Sequence, residues 1–480
     1  MNHSCNACGA QPGADGVFCP VCEPVSAPEI HDATVMDATV TDVPVTVQTA
    51  ANTQAGAASP KLPRFLQRAL LVLLMSWAAV TPFVELRQIQ ARVPGYWSDF
   101  YSPWSATRAA LHGQDPYSKA VTRQIQVWFY GHALTPAEIN DTQAFVYPAH
   151  AILLFAPAAV LPWHGVRLLF SFLLPALVAA SAWLWMEMCG MQLTAWNRVV
   201  LLVLITASWP SVWAAQQMQP TVLAFAAVTG ACFLLRKQRD LAAGFLLAAS
   251  TFKPNIVVPL IAWLIVWALI QRRGRFVAAF ALSITGFLAA AEAILPGWIP
   301  RWKAAILTYS ADVHKPPLLL FLFGRGGRAF SFGAVLLVIF LVCGALWRLG
   351  LAPANAPNFG RSAALILAFT ACIIPGSLWM VYNQLLLIPG VFILLRTHPK
   401  GLPAKPARDL SLALASWAAL GVPICVSISF ILGSPGLRPV LPFLDILLPA
   451  AVTGALLCVG PALPLDAAAQ LQSAPLEIRS

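Results

Sequence analysis

The sequence predicts an all-α protein that crosses a membrane many times and carries a small head at its N-terminus. Three observations predict this fold class. Hydrophobic residues make up 59% of the 480 residues and charged residues only 10%, whereas soluble domains carry about 25% charged residues. Continuous apolar runs long enough to cross a bilayer as helices recur along the chain. Four cysteines lie together ahead of the first of these runs.

The N-terminal cysteines form two closely spaced pairs, Cys5 with Cys8 and Cys19 with Cys22. Four thiolates at this spacing can surround one Zn²⁺ ion as a tetrahedron. A segment this short cannot bury a core, so bound metal would supply its folding free energy. We expect residues 1–24 to be a zinc-ribbon-like head with structural Zn²⁺, serving a structural role or binding a protein partner. Redox-active or idle thiols are the alternative.

The next segments set the expected orientation. Residues 25–60 lack Lys and Arg, are rich in Ala, Thr, Val, Asp and Pro, and predict a flexible linker. Basic residues precede the first apolar run, 65–84, which places the N-terminus in the cytoplasm by the positive-inside rule. The polar stretch 85–144 is then an external first loop, which holds short amphipathic stretches at Trp104–His112 and Ser118–His132. The net charge of +11 belongs to cytoplasmic loops, so we expect membrane lipids and no nucleic acid as partners.

The remaining apolar runs predict a bundle of about twelve transmembrane helices. They fall at residues 145–162, 166–189, 198–213, 219–235, 240–252, 255–271, 275–295, 329–349, 361–377, 379–396, 409–432 and 440–460. Basic loops between some of them mark the cytoplasmic side. We place the membrane domain at 61–464 and a C-terminal tail at 465–480, in a plasma (inner) membrane.

One of the runs between residues 145 and 235 cannot cross the membrane. Four runs separate the external loop from the next basic loop, but an odd number of crossings is required there. The pattern alone leaves open which run fails. We expect it to be 198–213, which is short and is interrupted by Ser208, Trp209 and Pro210, so that it dips into the membrane and returns.

Polar side chains gather on the predicted external face. Lys253 lies where a short run ends, and a lysine at an unwound helix end suggests an anionic partner. Asp99 stands among aromatic residues that include Tyr101 and Trp104. A carboxylate can deprotonate a sugar hydroxyl, and aromatic faces can stack on sugar rings. The alternatives are a solvated loop carboxylate, a snorkelling lysine and an interfacial aromatic belt.

Two segments around this loop resemble a known family. Residues 98–117, SDFYSPWSATRAALHGQDPY, resemble the first-loop motif of glycosyltransferase family 87, whose members use polyprenyl-phosphate-linked mannose and belong to the GT-C superfamily. The matching residues are Asp99, Phe100, Trp104, Ala106, Gly113, Asp115, Pro116 and Tyr117. Residues 145–162 are similar to the F-x-Y-P-P stretch of the family, with Ala149 in place of the second proline.

Two later segments extend the resemblance, which covers about residues 65–460. Gln217 falls at the glutamine of a Gly-Gln-x-Asn motif, while Gln216 and Gln219 replace its glycine and asparagine. Residues 242–255 are similar to an A-G…K-P signature, in which Lys253 supplies the lysine. The N-terminal head lies outside the resemblance.

The resemblance implies a GT-C-like bundle that transfers a sugar with inversion at the outer, periplasmic face. Asp99 would be the general base, Lys253 would hold the phosphate of a polyprenyl-phosphate sugar donor, and Gln217 would assist it. We group Tyr101, Trp104 and Asp115 with the substrate-binding residues, although Asp115 better suits a turn that shapes the loop. The resemblance favours mannose and a lipid or glycan acceptor. We expect no catalytic metal, because the external loops contain no Asp-x-Asp pair and a lipid-phosphate leaving group does not require one.

Two other classes of protein remain in competition. A membrane transporter would need a polar path near the bilayer midplane and often internal repeats, and the sequence shows few charges and no repeat there. A scaffold without enzymatic activity, in which the helices only anchor a zinc-binding head, would leave the long external loop unexplained.

Overall fold

The computed structural model describes residues 65, 98–135, 138, 142–313, 328–374, 380–396, 405–421 and 441–459. The chain from Leu62 onward forms one compact unit. The expected zinc-binding head with its four cysteines, the linker, and nearly all of the first apolar run lie outside the described residues.

The described part of this unit is helical and contains no strand. The first loop contributes α1 (Tyr101–Leu111) and α2 (Lys119–Tyr130), which overlap the two amphipathic stretches of the sequence. The bundle continues with α3 (Ala151–Ala159), α4 (Trp163–Met188), α5 (Ala195–Thr206), α6 (Trp209–Gln216), α7 (Pro220–Arg236), α8 (Asp240–Ser250), α9 (Pro254–Ile270), α10 (Gly274–Ile294) and α11 (Trp298–Val313). It ends with α12 (Arg328–Leu349), α13 (Pro357–Ile373), a 3₁₀ helix (Val381–Leu387), α14 (Ile388–Leu395), α15 (Lys405–Ser416), a short π-helical turn (Trp417–Gly421) and α16 (Leu441–Leu457).

Apolar helices dominate the described bundle, as expected for a membrane protein. Within the described residues, α4 and α10 are long and apolar enough to cross a membrane. The pair α5 and α6 reaches the same criterion together, with a bend of 54° between them. Several shorter apolar helices surround these. The total of about twelve crossings stays a prediction.

Side-chain contacts define two opposite ends of the bundle. Trp163, the first residue of α4, packs edge-on against Tyr101 of the first loop. At the other end of α4, the Met188 carbonyl accepts a hydrogen bond of 2.8 Å from Arg236. We call the first of these the loop end and the second the arginine end. They are separated by the length of α4, about 39 Å for 26 residues.

The bent pair α5–α6 connects these two ends, and this corrects the expected topology. Helix α5 follows the Met188 end of α4, whereas α6 leads to Gln217, whose carbonyl accepts a hydrogen bond from the Asp99 backbone amide in the first loop. The break at Ser208 is present, but the expectation that residues 198–213 dip and return is wrong. Helices α5 and α6 together are about 30 Å long. This length allows the pair to run from the arginine end to the loop end.

The run that fails to cross is the one at residues 145–162. Residues 142–148 are not helical, and only the nine residues of α3 form a helix, about 14 Å long. Tyr117 of the first loop donates to the Tyr147 carbonyl just before α3, and Arg108 of α1 donates to the Ala159 carbonyl at its end. Helix α3 therefore begins and ends beside the first loop. One of the four runs between residues 145 and 235 thus fails to cross, as expected, but it is 145–162 and not 198–213.

Close backbone contact between α8 and α10 fixes the middle of the bundle. A β-carbon added at Gly244 of α8 would lie 2.7 Å from the backbone oxygen of Phe276 and the backbone nitrogen of Phe280. Only a residue without a side chain permits this approach. This glycine is part of the A-G signature, so the motif has a packing role that positions α8 and the turn that follows it.

Candidate active site

The backbone of Asp99 is fixed by the turn between α6 and α7. The amide N–H of Asp99 donates to the Gln217 carbonyl at 2.9 Å. Phe100, next in the chain, is fully buried and packs on Phe155 and Phe170 with ring centroids 5.2 and 4.5 Å away. The carboxylate is half-buried. The first loop is therefore anchored to the core at the position of its candidate base.

A single amide group links Asp99 to Lys253. The side-chain nitrogen of Gln219 donates to the Asp99 carboxylate, and its oxygen accepts from the Lys253 ammonium at 3.1 Å. The amide cannot be reversed without placing its oxygen against the carboxylate and its nitrogen against the ammonium. The two charged groups are thus joined through a polar bridge that is itself only 2% exposed.

Lys253 is buried at the loop end with one donor still available among the described residues. It is 9% exposed, and it also donates to the Thr221 hydroxyl at 2.6 Å. Its ammonium lies 5.3 Å from the ring centroid of Tyr382. A lysine ammonium has three N–H donors, of which these contacts use two. Burial lowers the pKa of Lys253 to about 8, and the negative charge of Asp99 opposes that shift.

Two helix N-termini meet at this lysine. Gln219 is the N-cap of α7 and Lys253 the N-cap of α9, and a proline follows each as the first helical residue. Proline suits that position because its missing N–H would have no partner within the helix. The N-terminus of a helix carries unsatisfied backbone donors and a partial positive charge. Together with the ammonium, these two ends make a setting that favours an anion.

The strained turn between α6 and α7 places Gln219. Met218 has a φ of +49°, in the left-handed region that costs a residue with a side chain about 1–2 kcal/mol. The surrounding contacts hold this conformation, since Met218 is buried. Such strain often marks functional sites. The turn directs the Gln217 carbonyl and the Gln219 side chain toward the same aspartate.

Residues of other segments complete the surroundings of the bridge. Thr221 lies 3.4 Å from Asn383 of the 3₁₀ helix. Burial raises the pKa of the Tyr147 hydroxyl, and the nearby Asp99 charge adds to the rise. Asp99 and Lys253, which the sequence places on one face, do lie together in the structure, with Tyr382 and Asn383 beside them.

His150 supports the turn that carries Lys253. Its Nε2 lies 3.1 Å from the Thr251 hydroxyl, and that hydroxyl donates to the Ala248 carbonyl at 2.6 Å. A hydroxyl has one proton to donate, so the histidine must be the donor in the first contact. Its Nδ1 is then an acceptor, and it is buried with no partner among the described residues. Burial lowers the pKa of His150 to about 4.

Tyr101 and Trp104 lie in an aromatic cluster at the start of α4. The Tyr101 ring stacks on Trp128 with centroids 3.4 Å apart and planes 9° apart. Trp104 has the Arg108 guanidinium 5.1 Å from its centroid and donates to the Leu161 carbonyl at 3.3 Å. One face of each ring is therefore occupied. Their role as sugar platforms stays a prediction, while their packing role is visible.

Asp115 organises the first loop. One carboxylate oxygen accepts from the Tyr117 amide at 3.0 Å, which is the aspartate-led turn expected from the sequence. The other lies 3.2 Å from Arg301 of α11. These contacts tie the loop to a neighbouring helix. A substrate-binding role for Asp115 stays a prediction.

The family resemblance assigns to Gln217 the role of assisting Lys253. In the structure, the side chain that joins Asp99 to Lys253 belongs to Gln219. Thr221 was also missed. The signal that could have identified both is their position: Gln219 caps α7 directly before Pro220, so its side chain and that of Thr221 lie at the helix end that faces the site. The contribution of Gln217 that the structure shows comes from its backbone.

Comparisons with known proteins find one matching family and a short match to one curated protein. The sequence model of glycosyltransferase family 87 matches residues 145–376, just under half of the chain. The match includes Gln219 and Lys253 but not Asp99. The zebrafish (Danio rerio) protein named "Popeye domain-containing 2" is 30% identical over 79 residues, which are 16% of this chain and 21% of that protein. The chain thus spans about a fifth of the length of this curated relative.

No solved structure matches this chain. The family match and the apolar helices both indicate a membrane protein. Over residues 145–376 the chain is similar to glycosyltransferase family 87, and this similarity indicates a membrane glycosyltransferase.

Proposed function

We propose that the protein is an inverting hexosyltransferase that moves a sugar, with mannose favoured, from a polyprenyl-phosphate donor to a hydroxyl of a lipid or glycan acceptor. The observation that carries the proposal is the bridge from Asp99 through Gln219 to Lys253. It places a carboxylate and an ammonium on opposite sides of one amide. In transfer from a phosphate-linked sugar, a carboxylate can act as the general base and an ammonium can stabilise the leaving phosphate.

In this reaction Asp99 removes the proton of the acceptor hydroxyl as its oxygen attacks the anomeric carbon. The bond between that carbon and the phosphate oxygen breaks on the opposite face, and the bonding electrons leave with the polyprenyl phosphate. The configuration at the anomeric carbon is thereby inverted. The proton on Asp99 is later released to solvent.

Lys253 stabilises the leaving phosphate. Its remaining N–H donor and the N-terminal ends of α7 and α9 favour the negative charge that grows on the phosphate oxygen. A low-dielectric site strengthens this attraction. The long apolar chain of the donor fits a protein whose helices expose large hydrophobic side chains to the bilayer.

Further parts of the proposal concern location and the N-terminal head. We infer a cytoplasmic N-terminus and a loop end on the outer, periplasmic face of the plasma membrane, because the positive-inside rule favours basic loops in the cytoplasm. Cys5, Cys8, Cys19 and Cys22 would hold a structural Zn²⁺ ion in a head that binds a protein partner. No catalytic metal is part of the proposed reaction.

The test is sugar transfer by purified protein in lipid nanodiscs, with radiolabelled polyprenyl-phosphate-mannose as donor and a crude lipid extract as acceptor. We expect transfer by the wild type and none by Asp99→Asn. Glu138→Gln is the matched control, because Glu138 is an exposed carboxylate of the same loop that contacts Thr135 and His132. It should transfer at the wild-type rate.

Two outcomes would reject parts of the proposal. Equal transfer by wild type and Asp99→Asn would remove Asp99 from the role of base. Failure of the wild type with mannose and with a panel of other lipid-linked sugars would remove the enzyme assignment, and transport and partner binding would be tested instead.

A further inference from the structure

Three arginines converge at the arginine end of the bundle, far from Asp99. Arg236 is the last residue of α7, Arg361 lies in α13, and Arg396 directly follows α14. All three are half-buried. Burial raises the pKa of the nearby Cys189 thiol to about 12, and the charges of these three arginines all oppose the rise. Three separate helices therefore bring positive charge to one place.

The shared location is the C-terminal end of α4. Arg236 donates to the carbonyls of Glu187 and Met188, at 3.1 and 2.8 Å. A β-carbon added at Gly360, next to Arg361, would lie 3.8 Å from the Met188 carbonyl oxygen. The backbone of α13 thus passes beside the C-terminal end of α4. Arg361 directly follows Gly360, so it lies at this end as well.

Arg396 approaches through a gap left by a glycine. Gly190 ends α4 with a φ of +64°, a conformation that glycine adopts without cost. A β-carbon at this position would lie 3.7 Å from Cζ, Nη1 and Nη2 of Arg396 alike. Equal distances to three guanidinium atoms mean that the flat face of the guanidinium covers the glycine. Its N–H groups then point sideways, in the plane of the group.

Among the described residues named at this end of the bundle, positive side chains outnumber negative ones. The end of a helix carries about half a negative charge, and Glu187 is paired with Lys237 at 3.3 Å. Arg361 and Arg396 repel each other. The positive-inside rule accounts for basic residues in loops, but not for three half-buried guanidiniums gathered from different helices.

We propose that this cluster binds the phosphate group of an anionic glycerophospholipid. Guanidinium groups match phosphate oxygens with paired hydrogen bonds. The cluster lies where apolar helices end, the depth at which lipid headgroups lie, and basic pockets between transmembrane helices at this depth bind such headgroups. The site is separated from Lys253 by the length of α7, about 25 Å. It is therefore independent of the proposed transferase site.

The experiment measures lipid binding by the full-length protein in detergent. Native mass spectrometry counts the lipids retained after titration with phosphatidylglycerol or phosphatidylcholine. We expect retention of phosphatidylglycerol by the wild type and little of phosphatidylcholine. Arg361→Gln and Arg396→Gln should each raise the half-saturating concentration about fivefold, the factor given by about 1 kcal/mol per basic residue. Arg275→Gln is the matched control, an exposed arginine at the start of α10, and it should bind as the wild type does.

Three results would overturn the proposal. Equal retention of the two lipids by the wild type would exclude a preference for anionic headgroups, and this comparison needs no variant to fold. An unchanged affinity in the two glutamine variants would separate lipid binding from the cluster. Thermal stabilisation by inorganic phosphate alone, equal to that by phosphatidylglycerol, would assign the site to free phosphate instead. If the glutamine variants do not fold, Arg361→Lys and Arg396→Lys keep the charge and should bind more weakly than the wild type.

Discussion

The side-chain amide of Gln219 donates a hydrogen bond to the carboxylate of Asp99, a residue 120 positions earlier in the chain. This contact joins the first loop to the start of α7. It also shows that Gln219 brings its side chain to Asp99, whereas Gln217 contacts Asp99 through its backbone carbonyl.

We predict that Gln219→Ala lowers the rate of sugar transfer by about 10- to 100-fold, because hydrogen bonds to charged groups contribute about 1.5–3 kcal/mol. Gln217→Ala is the matched comparison and should have a much smaller effect, since Gln217 reaches Asp99 through its backbone. The measurement is kcat/KM of both variants in nanodiscs. A larger loss in the Gln217 variant would contradict the assignment.

The charge of Lys253 predicts a pH dependence. Burial lowers its pKa from 10.5 to about 8, so the free enzyme loses the ammonium charge as the pH rises through about 8. We expect kcat/KM for the donor to fall above this pH. Lys253→Arg keeps its charge and should show lower activity without the fall. An identical alkaline fall in the variant would assign it to another group.

His150 predicts a change of stability in acid. Burial lowers its pKa from 6.5 to about 4, so between these values the unfolded chain binds a proton that the folded protein does not. The free energy of unfolding therefore decreases as the pH falls through this window. Melting temperatures at pH 7 and pH 5 should differ more in the wild type than in His150→Gln. Equal differences would exclude His150 as the source.

Gly244 predicts a packing effect. A β-carbon would meet the α10 backbone at 2.7 Å, and overpacking of this kind costs about 1–3 kcal/mol. Gly244→Ala should lower the melting temperature. The control is Gly286→Ala in α10, where an added β-carbon meets nothing within 4 Å and helix propensity improves. If both variants melt alike, the close approach of α8 and α10 does not limit stability.

Much of the arrangement was predictable from residue patterns. Continuous apolar runs predict helices, and the proline after Ser208–Trp209 predicts a break in the third run, as observed. The gathering of Asp99 and Lys253 on one face followed from counting crossings. These features depend on local composition, which a sequence carries directly.

Other features depend on contacts that a linear pattern does not contain. Residues 145–162 are as apolar as a membrane helix, yet only the nine residues of α3 form a helix, and this helix stays beside the first loop. Which glutamine faces Asp99 depends on the left-handed backbone of Met218, and nothing in the residue type of methionine predicts that conformation.

The amide bridge also has a consequence for the order of events. Gln219 touches the group that would receive the acceptor proton and the group that would hold the donor phosphate. Any ligand that moves this side chain at one of them changes the affinity of the other, and thermodynamic linkage makes the influence reciprocal. Under the proposed function, occupancy by either substrate therefore sets how strongly the second one binds.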